Sequence, residues 1–198
     1  MLTLSIARAD EYLAMLKQRL PERTLRHSVS VAGLMQHLVP TLGLSLELAV
    51  TAGLLHDSCK AMKKDGLLSR AQEYDLELTD IQRARPQLLH GPIAAEECRR
   101  KLGLPGEDLY EAIYWHTTGK QGLGRLGQAL YFADFSEPLR DHAEAGDARR
   151  ILEQRGFDTA LKFVAKAKLD RLKKKGQGID PATQAFCKWL HGENGHAR

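Results

Sequence analysis

Leu54-Leu55-His56-Asp57-Ser58-Cys59-Lys60 sets a histidine and an aspartate side by side, behind the apolar, small-residue run Ala49-Val50-Thr51-Ala52-Gly53. Neighbouring residues on a helix point about 100° apart, so both side chains can reach one ion lying against that face. Imidazole nitrogen with carboxylate oxygen suits Fe, Mn, Zn or Co better than Ca or Mg. Lys60 lies one helical turn beyond His56, in reach of a phosphate. An isolated His-Asp pair is most often surface decoration, so its meaning depends on what other segments bring to it.

Those segments are helical. Nearly every stretch repeats its apolar residues at period 3.6 and none alternates as a strand does, which predicts an all-α fold. Ser45 is a suitable N-cap for a helix from Leu46 to about Ser58, carrying His56 and Asp57 near its end. Before it, a first helix is expected over Ile6–Leu20 and a second from Pro21 to about Val39, closed by Pro40. Val31, Leu34, Met35 and Leu38 form the second helix's core stripe; His27 falls on that stripe and His37 off it, as a surface residue. Downstream, a Lys-rich patch (Lys60 to Lys64) leads to a short helix, Gly66–Tyr74, and then an irregular stretch, Asp75–Leu89, broken by Pro86. Pro92 opens a helix over Ile93–Leu102 that stops at Gly103, which sets His90 just ahead of a helix N-terminus.

A helix from about Glu107 carries Ile113, Tyr114 and Trp115 up to His116, followed by Thr117-Thr118-Gly119-Lys120. Another, Arg125–Phe135, bears Asp134 one turn after Leu130; an inward aspartate needs a cation or a histidine as partner. Three more helices are expected, over Gly146–Gln154, Asp158–Lys175 and Pro181–His191. The basic run Lys162–Lys175 reads as a solvated face in preference to an RNA-binding one. His191 and His196 fall in a polar, Gly-rich tail and are set aside as ligands.

The chain of 198 residues fits one domain: a metal-site core at about 21–140, a helical extension to about 191 and a frayed tail, 192–198. Its 29 basic and 25 acidic residues leave +4, enough for an anionic ligand and too little to argue for nucleic acid. Cys59, Cys98 and Cys187 are odd in number and scattered, which suggests reduced thiols in a cytoplasmic protein. Arg8, Asp10 and Glu11 interrupt any signal-peptide core, and no apolar run approaches a membrane span.

His27, His56, Asp57, His90, His116 and Asp134 lie on five helical segments, and such groups can converge only in a bundle core. His27, His56, Asp57 and Asp134 suit one transition metal; His90 and His116, with Asp57 bridging, suit a second. Two metals a few Å apart activate a water and clamp a phosphoryl oxygen.

The order H…HD…H…H…D resembles the HD-domain phosphohydrolases. Finer features are Arg26-His27-Ser28, His56-Asp57-Ser58-Cys59-Lys60, Leu88-Leu89-His90-Gly91-Pro92, Tyr114-Trp115-His116-Thr117-Thr118-Gly119 and Phe132-Ala133-Asp134-Phe135-Ser136-Glu137-Pro138-Leu139-Arg140. These resemble one branch, the symmetrical bis(5'-nucleosyl)-tetraphosphatases. The resemblance implies an HD-domain helical bundle with its C-terminal helices packed on the core. It also implies a di-iron or other divalent-metal centre, for which Mn or Co would fit the same ligands, and hydrolysis of diadenosine tetraphosphate to two ADP. Carried over by position, the six residues above hold the metals, Asp57 and Lys60 are catalytic, and Lys60, Thr118, Gly119 and Arg140 lie by the phosphates. Two positions depart from the pattern: Cys59 replaces an expected alanine, and Asp141-His142-Ala143-Glu144 replaces a short Pro-Gly turn, which bears on base preference. The partner implied is a nucleotide, with a homodimer left open. Rival readings are another HD-type nucleotidase or triphosphate hydrolase, and a non-catalytic nucleotide-binding or RNA-associated protein.

Overall fold

Leu4 and residues 6–192 are described in this computed structural model, and His196 lies outside them. Among the described residues there are eleven α-helices and one 3-10 turn, without a strand. The helices are α1 (Ala9–Arg19), α2 (Glu22–Leu42), α3 (Leu46–Leu55), α4 (Lys64–Glu73), α5 (Asp80–Ala84), α6 (His90–Arg100), α7 (Glu107–Trp115), α8 (Arg125–Ser136), α9 (Ala143–Arg155), α10 (Phe157–Lys174) and α11 (Pro181–Leu190). The 3-10 turn, Pro86–Leu89, runs directly into α6. The expected all-α class holds, and α9 and α10 pack on α8 while α11 packs on α10. None of the described helices is long and apolar enough to cross a membrane.

At the centre, α3 is buried at every position from Ala49 to Leu55, because it carries no charged residue after Glu47. It packs on α2, α7 and α8. Fully burying a side chain such as Leu54 or Leu55 contributes roughly 1.5–3 kcal/mol, so this helix anchors the bundle. Its crossing with α2 is close because Gly53 has no Cβ; one added there would lie 2.5 Å from the Ala32 α-carbon.

Several boundaries differ from expectation for local reasons. Pro40 does not end α2: it is exposed in the last turn, where its missing N–H forfeits a single bond, and the helix ends at Gly43 in the left-handed region (φ +63°). α3 stops at Leu55 and not at Ser58; tight turns follow, with Ser58 N–H donating to Leu55 O (3.0 Å) and Lys60 N–H to Asp57 O (2.9 Å). α6 begins at His90, three residues early, since Pro92 occupies a first-turn position whose N–H has no helical partner anyway. The stretch expected to be irregular holds α5, started by a capping box in which Thr79 Oγ1 accepts from Gln82 N–H and Gln82 Oε1 accepts from Thr79 N–H.

Candidate metal centre

Three of the histidines are held by one local device. His56 caps the C-terminal end of α3, His116 that of α7, and His90 that of the 3-10 turn. Helix ends leave carbonyls without partners. In each case Nδ1 reaches the carbonyl three residues back: Gly53 O at 2.9 Å, Ile113 O at 2.7 Å and Gln87 O at 2.5 Å. A carbonyl only accepts, so each Nδ1 carries the proton and each Nε2 presents a lone pair. His27, at the N-terminal end of α2's buried stripe, donates Nδ1–H to Glu137 Oε1 (3.0 Å) and also turns Nε2 inward.

The four Nε2 atoms surround Asp57, which the turn after α3 places in their midst, fully buried. One carboxylate oxygen faces each pair. Oδ2 lies 3.6 Å from His27 Nε2 and 3.5 Å from His56 Nε2. Oδ1 lies 3.1 Å from His90 Nε2 and 3.6 Å from His116 Nε2. Asp134 of α8 completes the first group, with Oδ1 3.1 Å from His27 Nε2 and 3.8 Å from His56 Nε2. Donors about 2.0–2.2 Å from one ion sit about 3.0–3.5 Å from each other, close to the spacing here. Two triads, His27-His56-Asp57 and Asp57-His90-His116, therefore share one aspartate.

The unmatched lone pairs of the site suit cations. His90 and His116 aim lone pairs at each other across 3.0 Å, and His56 Nε2 is buried with no hydrogen-bond partner. The Thr117 hydroxyl, 3.0 Å from His116 Nε2 and 3.4 Å from His90 Nε2, has one proton to offer two nitrogens. A buried acceptor left unsatisfied costs about 1–3 kcal/mol, which a divalent ion would remove. Burial, with His90 and His56 close by, pushes His116 down to about 4 against the pull of Asp57, so it is a neutral donor at pH 7. Burial would raise the Asp57 carboxyl, but His56, His116 and His90 outweigh it and hold it well below the usual carboxylate range. Asp134 is likewise held low against burial, by His27, Lys168 and Lys60. Anionic carboxylates and neutral imidazoles are the states that bind metal.

A family model for the HD domain matches residues 24–177. The chain belongs to the HD-domain family. The symmetrical bis(5'-nucleosyl)-tetraphosphatase of Bacillus subtilis (strain 168) is 30% identical over 183 residues, 91% of this chain and 96% of that protein. The protein of the same name from Staphylococcus aureus (strain NCTC 8325 / PS 47) is 29% identical over 151 residues, covering 76% of this chain and 77% of its own. A crystal structure from Clostridium acetobutylicum, titled a predicted HD superfamily hydrolase involved in NAD metabolism, superposes with a TM-score of 0.87 at 25% identity, over 93% of this chain and 97% of that one. His56 and Asp57, with the donors gathered around them, form a cluster that could hold a divalent metal.

Around the HD centre, Lys60 Nζ donates to both oxygens of Asp57 (2.8 and 3.2 Å), and Arg140 Nη2 donates to Asp134 Oδ1 (3.0 Å). A cavity of about 360 Å³ opens beside Asp134, lined by Thr117, Thr118, Arg140, Lys168 and Arg171 among others. Thr118 thus borders the cavity as expected. Gly119 packs differently: its φ is +69° and a Cβ there would come within 2.3 Å of the Phe186 ring of α11. His37 is exposed, as read from its place off the stripe.

Three residues escaped the sequence reading. Glu137, buried, orients His27; it lies within the Asp134–Arg140 stretch, whose spacing carries no sign that it folds back to α2. Thr117, and not only Thr118, reaches the second histidine pair. Lys168 belongs to the run read as a solvated face, yet its side chain is only 18% exposed. The signal was available: Leu161, Val164, Ala165 and Lys168 follow i, i+3, i+4, i+7, and the first three are buried. Lys162, Lys166, Lys173, Lys174 and Lys175 are exposed as expected.

Proposed function

We propose that this chain hydrolyses diadenosine tetraphosphate symmetrically, to two molecules of ADP. The observation that carries the reading is Asp57, whose two oxygens each face a histidine pair beside a cation-lined cavity. The two tetraphosphatases most of whose length this chain spans support the substrate. Ions held by His27, His56, Asp57 and Asp134 on one side and by Asp57, His90 and His116 on the other would draw a nucleophile from water and neutralise the attacked phosphoryl group. Iron is our proposed metal, and Mn or Co fits the same nitrogen and oxygen donors.

The chain's own residues do the rest. Asp57, anionic and fixed from four sides, is placed to orient the attacking water or accept its proton. Lys60, which donates to Asp57, and Arg140, which donates to Asp134, would meet the flanking phosphates. Thr118 lines the same cavity with its hydroxyl. The leaving group is a nucleoside diphosphate, which departs without a strong general acid. We take the whole chain as one HD unit working in the cytoplasm, where the buried Cys59 stays reduced. Its small charge excess gives no reason to add nucleic acid to its partners.

Anaerobic turnover after loading with Fe(II), Mn(II) or Co(II), with products resolved by ion exchange, tests the proposal. ADP as sole product, lost in His56→Ala and Asp57→Ala, is expected. AMP with ATP would refute the symmetrical cut, and absence of turnover with every metal would refute the reaction.

A further inference from the structure

α10 is strongly basic, and one of its cations, Lys168, is turned inward to the cavity beside Asp134. Lys168 lies four residues after Val164 and seven after Leu161, on the stripe that α10 packs against the core. Its Nζ stands 3.8 Å from the centre of the Tyr131 ring and 3.9 Å from Asp134 Oδ2. That is too long for a hydrogen bond. Asp134 Oδ1 already accepts from Arg140 at 3.0 Å. Among the described residues no acceptor lies within hydrogen-bond distance of the Lys168 ammonium. Lys168, its side chain 18% exposed and its donors unused, lines the 360 Å³ cavity together with Arg140 and Arg171, a setting that suits an anion. Phe135 and Leu172 give the same cavity apolar wall. Charged groups with apolar surface in a space of this size suit a nucleotide.

The position along the substrate follows from Asp134. Its Oδ1 faces His27 and His56, and its Oδ2 faces Lys168. A phosphate gripped by Lys168 therefore lies on the outer side of Asp134, adjacent to the group that is attacked. We propose that Lys168 contacts substrate, its ammonium holding the phosphate next to the reacting one, so that one nucleoside-diphosphate half lies between α8, α10 and the segment leading into α11. This rests on the phosphohydrolase reading above and names a residue that reading does not need.

ADP binding to the metal-loaded protein, by calorimetry, is the test, with Lys168→Met, Lys168→Arg and the exposed Lys174→Met compared. Loss of a charge-assisted contact should weaken ADP about tenfold to hundredfold in Lys168→Met and raise KM for diadenosine tetraphosphate. Metal content and adenosine binding should hold, Lys168→Arg should recover most of the affinity, and Lys174→Met should match wild type. A second measurement needs no variant: acylation of lysines in the wild-type protein, read by mass spectrometry, should be slowed several-fold by ADP at Lys168 and not at Lys174. Unchanged ADP affinity in Lys168→Met, a loss that only tracks lost metal, or absence of ADP protection would each overturn the assignment. A wild-type protein that binds ADP through Lys168 yet leaves diadenosine tetraphosphate intact would sink the proposed reaction and leave this contact standing.

Discussion

Replacing Gly53 by alanine adds one methyl group where α3 crosses α2. That carbon would lie 2.5 Å from the Ala32 α-carbon, 2.8 Å from its nitrogen and 3.0 Å from its Cβ. Carbon atoms settle about 3.5–4.0 Å apart, so the helices must part by about 1 Å along that line. Two of the three obstructing atoms are main chain and cannot rotate away. Overpacking of this kind costs about 1–3 kcal/mol, and the rigid neighbours put it near the top of that range. Alanine's better helix propensity offsets about 1 kcal/mol, leaving a net loss of about 2 kcal/mol. In a chain of this size that lowers Tm by about 4–8 °C. The Gly53 carbonyl also accepts from His56 Nδ1, so displacing α3 tilts a ligand of the first metal group, and metal occupancy should fall with stability. Gly66→Ala is the control: its nearest neighbour would be Met62 Cε at 3.7 Å, so the same change should raise stability by about 0.5–1 kcal/mol. Scanning calorimetry with metal analysis reads both. A Gly53→Ala protein that melts at or above wild type with full metal content would refute the account of the crossing.

Glu137→Ala leaves His27 Nδ1 without its acceptor and should weaken metal binding about tenfold to hundredfold, measured by competition with a chelator; unchanged affinity would show that Glu137 does not orient the ring. Glu97 is pushed up by burial but held below its usual value of 4.5 by Lys101 and Arg19, so its ion pairs stabilise the fold above about pH 4.5 and fade as pH falls through the lowered value. The Tm gap between wild type and Glu97→Gln should therefore be widest near neutrality and shrink below pH 4.5, and a gap that grows in acid would contradict this. Gly119→Ala combines a left-handed backbone (φ +69°) with a clash on Phe186, and should cost about 2 kcal/mol or more, with faster hydrogen exchange confined first to α11.

Much of the centre was legible because the histidines and aspartates stand at helix ends or on apolar stripes, where polar residues need a reason. His27 extends the Val31–Leu38 stripe one turn towards the N-terminus and Asp134 follows Leu130 by one turn, and both lie at the site. The helix classes were legible from period alone, whereas the ends were set by particular hydrogen bonds. Pro40 reads as a stop, but the helix passes it because Gly43 offers the left-handed end three residues later. α3 stopped early because His56 itself takes a last-turn carbonyl, which spacing cannot reveal. Glu137 and Lys168 reach the site only through the packing of α8 and α10, contacts that join residues 110 and 34 positions apart in the chain (137 − 27 and 168 − 134).

Three of the four imidazoles at this centre are steered by main-chain carbonyls, and only His27 by a side chain. A carbonyl cannot be mutated away, so most point changes nearby leave three rings aimed as they are. Sequence drift can retune the site through a single orienting side chain, Glu137, and that handle acts on the His27–Asp134 side alone. The two halves of the centre are thus unequally adjustable: one can exchange affinity or metal preference by a single codon, and the other changes only if a helix end moves.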